Sequence, residues 1–516
     1  MRRSRAAGWI AVSLLPLSGA AVPAMTPAER DLVGIFQGQS DVGSVSPPGT
    51  AAYDSGNDAY TLTSAGANTW YHVDGFHYLW RKVSGDWTLT ADVDFPPPAY
   101  SHSPNPHRKG ILMFRQTLDP GAAYAALSVH GSGMPALQYR RERGANTADI
   151  ELNISLPKTI RIEKRGDIFT VLLSAGGEPL HQIGASTRLH LNSPFYVGLG
   201  ALSHDAGTTD HVQFSRVTLR RPAAAKNTRP VLYSTLQTIQ IEDQYRRATV
   251  IRSVPKVMQS VNWLPDGKSL YVQEDGHLER IDYLDPPAGA PPQPIAVGKL
   301  VDCSGNYGIS PDGRWLAVSC AETPRGEHQV YVLPAGGGDA VRKLTRGAQS
   351  SFFHAWSPDS RIVAFTRGSA SKADIYTIPA SGGGESRLTR DTLNDGPDFS
   401  PDGQFIYFDS SRSGSTQIWR MRPDGSQPEQ ITDDDGRNSS PHISPDGKNL
   451  AFLSQSGNAD SQVGDAALKI MAFGDGLIRT LADFQGDRGS FAMYSWGDVN
   501  HLAFISYQMP SAGAVE

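Results

Sequence analysis

The sequence predicts an all-β protein: a two-sheet β-sandwich over residues 31–220, a linker over 221–230, and a six-bladed β-propeller over 231–510. Three observations predict it. A turn phrase recurs five times, at Leu264-Pro265-Asp266-Gly267, Ser310-Pro311-Asp312-Gly313, Ser357-Pro358-Asp359-Ser360, Ser400-Pro401-Asp402-Gly403 and Ser444-Pro445-Asp446-Gly447, spaced by 46, 47, 43 and 44 residues. A repeat of that length, built from short β-type runs, marks a propeller with one four-stranded blade per unit. Upstream the repeat is absent, yet runs such as Trp87–Phe95 alternate apolar and polar side chains as half-buried strands do. The chain of 516 residues carries 52 Gly and 36 Pro, consistent with many turns.

At the N-terminus, Arg2, Arg3 and Arg5 precede the apolar run Ala6–Leu17, which leads to Ala20, Ala21 and Ala24. A basic start, a short apolar core and small residues describe a secretory signal peptide, assigned to residues 1–24. Gly8 and Pro16 interrupt that core, which is too short to span a bilayer. The expectation is a periplasmic or secreted protein with no membrane span in the mature chain. A net charge of −5 gives no basic footprint for nucleic acid.

In the first module, Ile111–Gln116, Tyr124–His130, Leu137–Arg143, Thr159–Glu163, Phe169–Ser174, Phe195–Leu202 and Val212–Arg220 read as further strands bounded by Gly, Pro and Asp. So many antiparallel strands in under two hundred residues suggest two packed sheets. The segment Arg221–Pro230, rich in Ala and Pro, reads as the linker.

Within each repeat, proline presets φ for a tight turn, and Asp-Gly adds a side-chain acceptor and a residue free to take positive φ. A bulky apolar residue precedes each turn (Trp263, Ile309, Trp356, Phe399, Ile443) and a strand follows it, as in Trp315–Val318, Ile362–Phe365 and Phe405–Phe408. The ends of the array are complementary. Phe491–Ser495 and His501–Tyr507 form an inner pair with nothing after it, and Thr238–Asp243 with Ala248–Val254 an outer pair with nothing before it. Joining them gives a sixth blade and leaves no open sheet edge. The two cysteines, Cys303 and Cys320, flank the second turn. A register placing Tyr307 opposite Leu316 puts them face to face, and an exported protein favours a disulfide between them.

The Ser-Pro-Asp-Gly units, each followed by apolar strands, resemble the periplasmic propeller repeats of the TolB family across Val231–Tyr507. The N-terminal module resembles the concanavalin-A-like lectin/glucanase sandwich (a jelly roll) through Gly110–Arg115, Leu118–Gly121, Leu137–Arg140, Ile160–Gly166 and Val197–His204. These resemblances imply a six-bladed platform behind a lectin-type module. TolB itself carries a mixed α/β first domain, so a role in the Tol–Pal envelope machine is not carried over.

Candidate ligand-binding residues fall in both modules. His354, Asp398 and His442 lie on innermost strands of three blades, where propellers gather polar groups around their axis. In the sandwich, Trp70, Tyr71, Trp80, Arg115, Tyr139 and Arg140 could stack on sugar rings and bind their hydroxyls. No His-Glu-x-x-His helix, paired-carboxylate glucanase signature or Gly-x-Ser-x-Gly elbow is present, so no catalytic residue, metal or cofactor is assigned. The expected function is a non-catalytic exported binding or scaffold protein, of WD40-like repeat architecture, recognising an envelope protein or a glycan. The alternative is a carbohydrate-active enzyme, a polysaccharide lyase or glycoside hydrolase, with its site at the propeller mouth or sandwich cleft.

Overall fold

In a computed structural model of the chain, residues 32–96, 105–176, 178–222, 233–241, 246–282, 291–369, 371–390, 392–456, 465–484 and 494–508 are described. Residues 1–24, expected above to be a signal peptide, and most of the expected linker lie outside them. Every regular element among the described residues is a strand, and among them no helix is long and apolar enough to cross a membrane.

The first module is two antiparallel sheets packed face to face. One runs Gly38–Val42, Val73–Val83, Phe195–Leu202, Lys109–Arg115, Tyr124–His130, Pro135–Arg140 and Ala148–Glu151 in hydrogen-bonded order, with Asn68–Trp70 paired to Val73–Val83. The other runs His181–Arg188, Ile168–Ser174, Thr159–Arg165, Trp87–Asp94, Asp210–Arg220, Ala59–Ser64 and Thr50–Asp54. The period-2 alternation decides what lies between them. Leu112 and Phe114, Leu127 and Leu137, and Val197 and Leu199 from the first sheet meet Leu89, Ile160, Ile162, Phe169, Val171 and Phe214 from the second, all fully buried. Each such side chain contributes about 1.5–3 kcal/mol on leaving water.

Downstream, five four-stranded antiparallel sheets follow one another along the chain, each with its turn phrase between its first two strands. They begin at Met258, Tyr307, Ser351, Asn394 and Arg437. The serine of the phrase explains the recurrence further than proline and glycine do. In four copies its Oγ donates to the turn aspartate at 2.6 Å and accepts the main-chain N–H of the residue opening the next strand, at 2.9–3.0 Å. The serine hydroxyl holds the carboxyls of Asp312, Asp359, Asp402 and Asp446 below the usual range, helped by main-chain N–H groups. The first copy has Leu264 in place of serine, and there Asp266 Oδ1 itself takes the N–H groups of Lys268 and Ser269.

Six separate blades were expected; five stand alone. Tyr494–Trp496, His501–Gln508, Tyr233–Ile241 and Arg246–Val254 do pair in that order, joining the two ends of the array. They are part of a twelve-stranded sheet, however, because Ala148–Glu151 of the sandwich pairs in parallel with Arg246–Val254, placing Ile150 beside Ala248. One apolar cluster therefore runs through both modules, from Phe114 and Tyr139 to Ile239, Ala248, Leu468 and Phe504. Gly184 shows how close the approach is. It has φ +77°, and a Cβ there would lie 1.8 Å from Thr235 Oγ1.

The cysteine hairpin departs from the expected register. Tyr307 pairs with Val318 and Ile309 with Leu316. The chain loops outward between Asp302, at φ +48°, and Asn306, and Ser304 N donates to Ser319 O at 2.9 Å. That slip brings Cys303 beside Cys320, and the two are disulfide-bonded.

Ser400→Ala removes the hydroxyl that ties Asp402 to the strand start while leaving proline and glycine in place. Two hydrogen bonds at about 0.5–1.5 kcal/mol each imply a loss of about 1–2 kcal/mol. Urea unfolding of the variant should show the midpoint lowered at unchanged slope.

Candidate functional site

The innermost strands of the blades are irregular at one place. Met258–Trp263, Ser351–Trp356, Asn394–Phe399 and Arg437–Ile443 each break register with their neighbour, at Met258/Ser260, Phe353/Ala355, Asp395/Asp398 and Ser439/His442. Such bulges twist the strand and re-aim side chains. His354 is the extra residue in its bulge. In the next two blades Gly396-Pro397 and Ser440-Pro441 occupy the bulge, with Gly396 at φ +58° and Ser440 at φ +53°. A Cβ at Gly396 would sit 2.8 Å from Asp409 Oδ1, so the glycine lets that carboxyl approach the main chain.

His354, Asp398 and His442 do not converge on one point. They form two separate pairs across blade boundaries. His354 Nε2 lies 3.0 Å from Asp395 Oδ1 and 3.0 Å from Thr366 Oγ1. His442 Nδ1 lies 3.4 Å from Asp398 Oδ2, which also accepts Ile443 N–H at 3.1 Å. Tyr494 stands against the His442 ring, centroids 4.9 Å apart, and its hydroxyl donates to Ser440 O. Asp409, 5% exposed, accepts the N–H of Ser440 at 3.0 Å.

The two aspartates beside His354 are held in opposite states. Burial works against the charge on Asp395, but the His354 imidazole outweighs it and its carboxyl stays below the usual range. Asp409 is pushed up to about 7, first by burial and then by the negative charge of Asp395. Among the described residues no group of three or more His, Cys, Asp or Glu is placed to hold a metal ion.

The sandwich residues do not form an open groove. Arg115 and Arg140, both fully buried, flank the fully buried Asp74, with Nη1 of Arg115 at 2.9 Å and Nη2 of Arg140 at 2.7 Å from its carboxylate. Their remaining N–H groups go to main-chain oxygens of Thr117, Asp119, Ala122, Ala145 and Tyr71. The strand Asn68–Trp70 lies over this face of the sheet. Thr69 O accepts the Tyr124 hydroxyl at 2.8 Å, Asn68 Oδ1 accepts Lys109 Nζ at 3.1 Å, and the same ammonium sits 5.8 Å from the Trp70 ring. The residues expected to bind sugar are placed as follows. Arg115 is spent inside an ion network, the chain's own backbone occupies the face, Tyr139 points to the opposite side and is 5% exposed, and of the set Tyr71 is the residue at the surface, 49% exposed.

Comparison with known proteins bears on the propeller. The family model of the TolB β-propeller domain matches residues 349–483. An uncharacterized protein of Agrobacterium fabrum is 35% identical over 266 residues, covering 51% of this chain and 89% of that protein. The chain belongs to the TolB-like β-propeller family. A TolB homolog of Chlorobium luteolum is 30% identical over 154 residues, about a third of that protein's length (34%). A solved structure from Agrobacterium tumefaciens, provisionally named TolB, shares 34% identity and is covered over 99% of its length, at 54% of this chain and a TM-score of 0.49.

In the TolB-like repeat, position rather than residue type locates what sequence reading missed. Nine residues after each turn phrase begins stand Gln273, Ser319, Thr366, Asp409 and Leu453. Ser319 and Asp409 there accept main-chain N–H groups of the following blade, from Phe353 and Ser440, and Gln273 donates to Cys303 O. Asp409 is the acidic member of that set, a signal visible once the repeats are aligned. Asp395 carried no comparable mark.

Two outcomes follow from this geometry. Asp74→Ala strands two buried guanidinium groups, and breaking such a network costs about 3–5 kcal/mol; chemical denaturation should show it. Asp409 has a folded pKa above its unfolded value, so the native state holds the extra proton and its contribution is present below about pH 4 and lost as pH rises toward 7. Asp409→Asn keeps an acceptor for Ser440 and cannot ionise. Its melting temperature relative to the parent should therefore rise between pH 5 and pH 8, read by thermal melts across that range.

Proposed function

We propose that the chain is an exported, non-catalytic binding protein, a TolB-like propeller acting as a rigid platform for an envelope protein partner. The observation that carries this reading is the pairing of the axial charges. His354 with Asp395 and Asp398 with His442 bridge adjacent blades, so these groups fasten the ring and present a fixed polar surface. In this reading Tyr494–Trp496, His501–Gln508, Tyr233–Ile241 and Arg246–Val254 serve as the sixth blade, shared with the first module, and that module is of the concanavalin-A-like type. The basic and apolar start of the chain and the Cys303–Cys320 bond support export to an oxidising compartment, the periplasm or beyond. Glycan recognition by the sandwich has less support, because Asn68–Trp70 covers the face where it was expected.

The deciding experiment presents the mature protein to purified envelope proteins and to a polysaccharide panel, recording binding and product release separately. Saturable binding of a protein partner with no product release is expected. Release of a cleaved sugar product that Asp395→Asn or His442→Ala abolishes would establish the enzyme reading instead.

A further inference from the structure

Six residues before each turn phrase, and ten residues after its first residue, stand two positions at the open end of a blade's first hairpin. Met258 faces Glu274 there, Ser351 faces Arg367, Asn394 faces Ser410 and Asn438 faces Ser454. Four of the five blades fasten this place with a covalent bond or a side-chain cation. In the first, Glu274 takes Lys256 Nζ at 3.0 Å and Arg252 Nη2 at 3.1 Å. In the second, Cys320 at the later position is bonded to Cys303. In the third, Arg367 Nε donates to Ser351 Oγ at 3.0 Å. In the fourth, Arg412 spans the facing pair, with Nη2 on Asn394 Oδ1 and Nε on Ser410 Oγ, both at 2.9 Å.

The fifth blade repeats the asparagine and serine of the fourth but not its arginine, since Ser456 stands at the position of Arg412. Asn438 is fully buried, and its Nδ2 donates to Gln417 Oε1 at 2.9 Å and to Asp434 Oδ1 at 2.7 Å, which fixes the amide. Its Oδ1 is left with no hydrogen-bond partner, a state buried acceptors rarely keep. That oxygen, Asp434 Oδ1 and Ser454 Oγ gather over Gly436, where a Cβ would lie 3.4, 3.1 and 2.7 Å from them. Asp434 Oδ1 also accepts Gly436 N–H at 3.0 Å, while Lys469 Nζ reaches the other carboxylate oxygen, at 3.8 Å. Asp433, Asp435 and Arg437 are exposed on the same turn, so the carboxylates outnumber the cations. We propose that a hard metal cation of the calcium type binds here, on the Asp434 carboxylate, Asn438 Oδ1 and Ser454 Oγ with water completing its shell, and fastens the fifth blade as Arg412 fastens the fourth. Calcium accepts carboxylate, amide and water oxygens in flexible geometry, whereas magnesium demands a closer octahedron. With a single carboxylate the set is distinct from the His, Cys, Asp and Glu groupings that the described residues lack. The site is independent of the partner surface proposed above.

Thermal melts of the full mature chain, stripped with a chelator and titrated with calcium chloride against magnesium chloride at equal ionic strength, test it. The melting temperature should rise saturably with calcium, half-maximally at about 0.1–1 mM as a single carboxylate implies, and should respond less to magnesium. Asp434→Asn should weaken calcium at least about tenfold. Lys469→Met, which removes the competing ammonium, should tighten it about threefold, an effect that a purely structural role for the cluster would not produce. Should Asp434→Asn fail to fold, Lys469→Met decides alone. A melting temperature indifferent to calcium, an equal rise with magnesium, or a calcium midpoint that the folded variants leave unaltered would overturn the assignment.

Discussion

A ladder of eight residue pairs between Tyr233–Ile241 and His501–Gln508 ties together positions more than two hundred and fifty apart in sequence. The entropy of closing so long a loop grows only with the logarithm of its length, so a ladder of this size backed by apolar burial can hold it. Its register matters more than its length. Ile239 faces Leu502 and Gln237 faces Phe504, which puts Ile239, Leu502 and Phe504 into the core shared by both modules while Leu236, Ala503 and Ile505 face the first blade. A slip of one residue would exchange those two faces and empty both clusters at once.

Around the ring, apolar wedges supply attraction and a small number of directed hydrogen bonds supply alignment. Trp356 Nε1 donates to Gly308 O, Trp496 Nε1 to His442 O and Asn262 Nδ2 to Tyr307 O, each crossing from one blade to the next near the innermost strand. The imidazole–carboxylate pairs belong to the same set of crossings. They replace neutral bonds at the third-to-fourth and fourth-to-fifth boundaries, where bulges bring main chain and side chains closest. The presence there of a carboxyl that stays protonated until near neutral pH is the cost of placing Asp395 and Asp409 together.

The repeat was legible because its turn chemistry is local: proline, aspartate and glycine act within four residues, and the following strand is apolar enough to be read directly. The pairing of the end strands with one another was legible too, although they stand in a twelve-stranded sheet and not in a separate sixth blade. What escaped was long-range. Nothing in Ala148–Glu151 announces that it pairs with Arg246–Val254, because edge pairing leaves no period of its own. Arg115 and Arg140 looked like sugar-binding residues until Asp74, some forty and more residues earlier, was placed between them. His354 and His442 were seen on innermost strands, but their partners depended on bulges, which a count along the strand cannot reveal. The cysteines met through a looped register rather than the regular one assumed for them.

The parallel contact between Ala148–Glu151 and Arg246–Val254 has a mechanical consequence. A load applied to the first module reaches the ring along the strands of a common sheet, so neighbouring hydrogen bonds resist it in shear, all together, instead of unzipping singly. The strand that receives that load is one step from the ladder uniting the ring's two ends. Tugging on the front of the molecule is thereby felt first at the clasp of the ring.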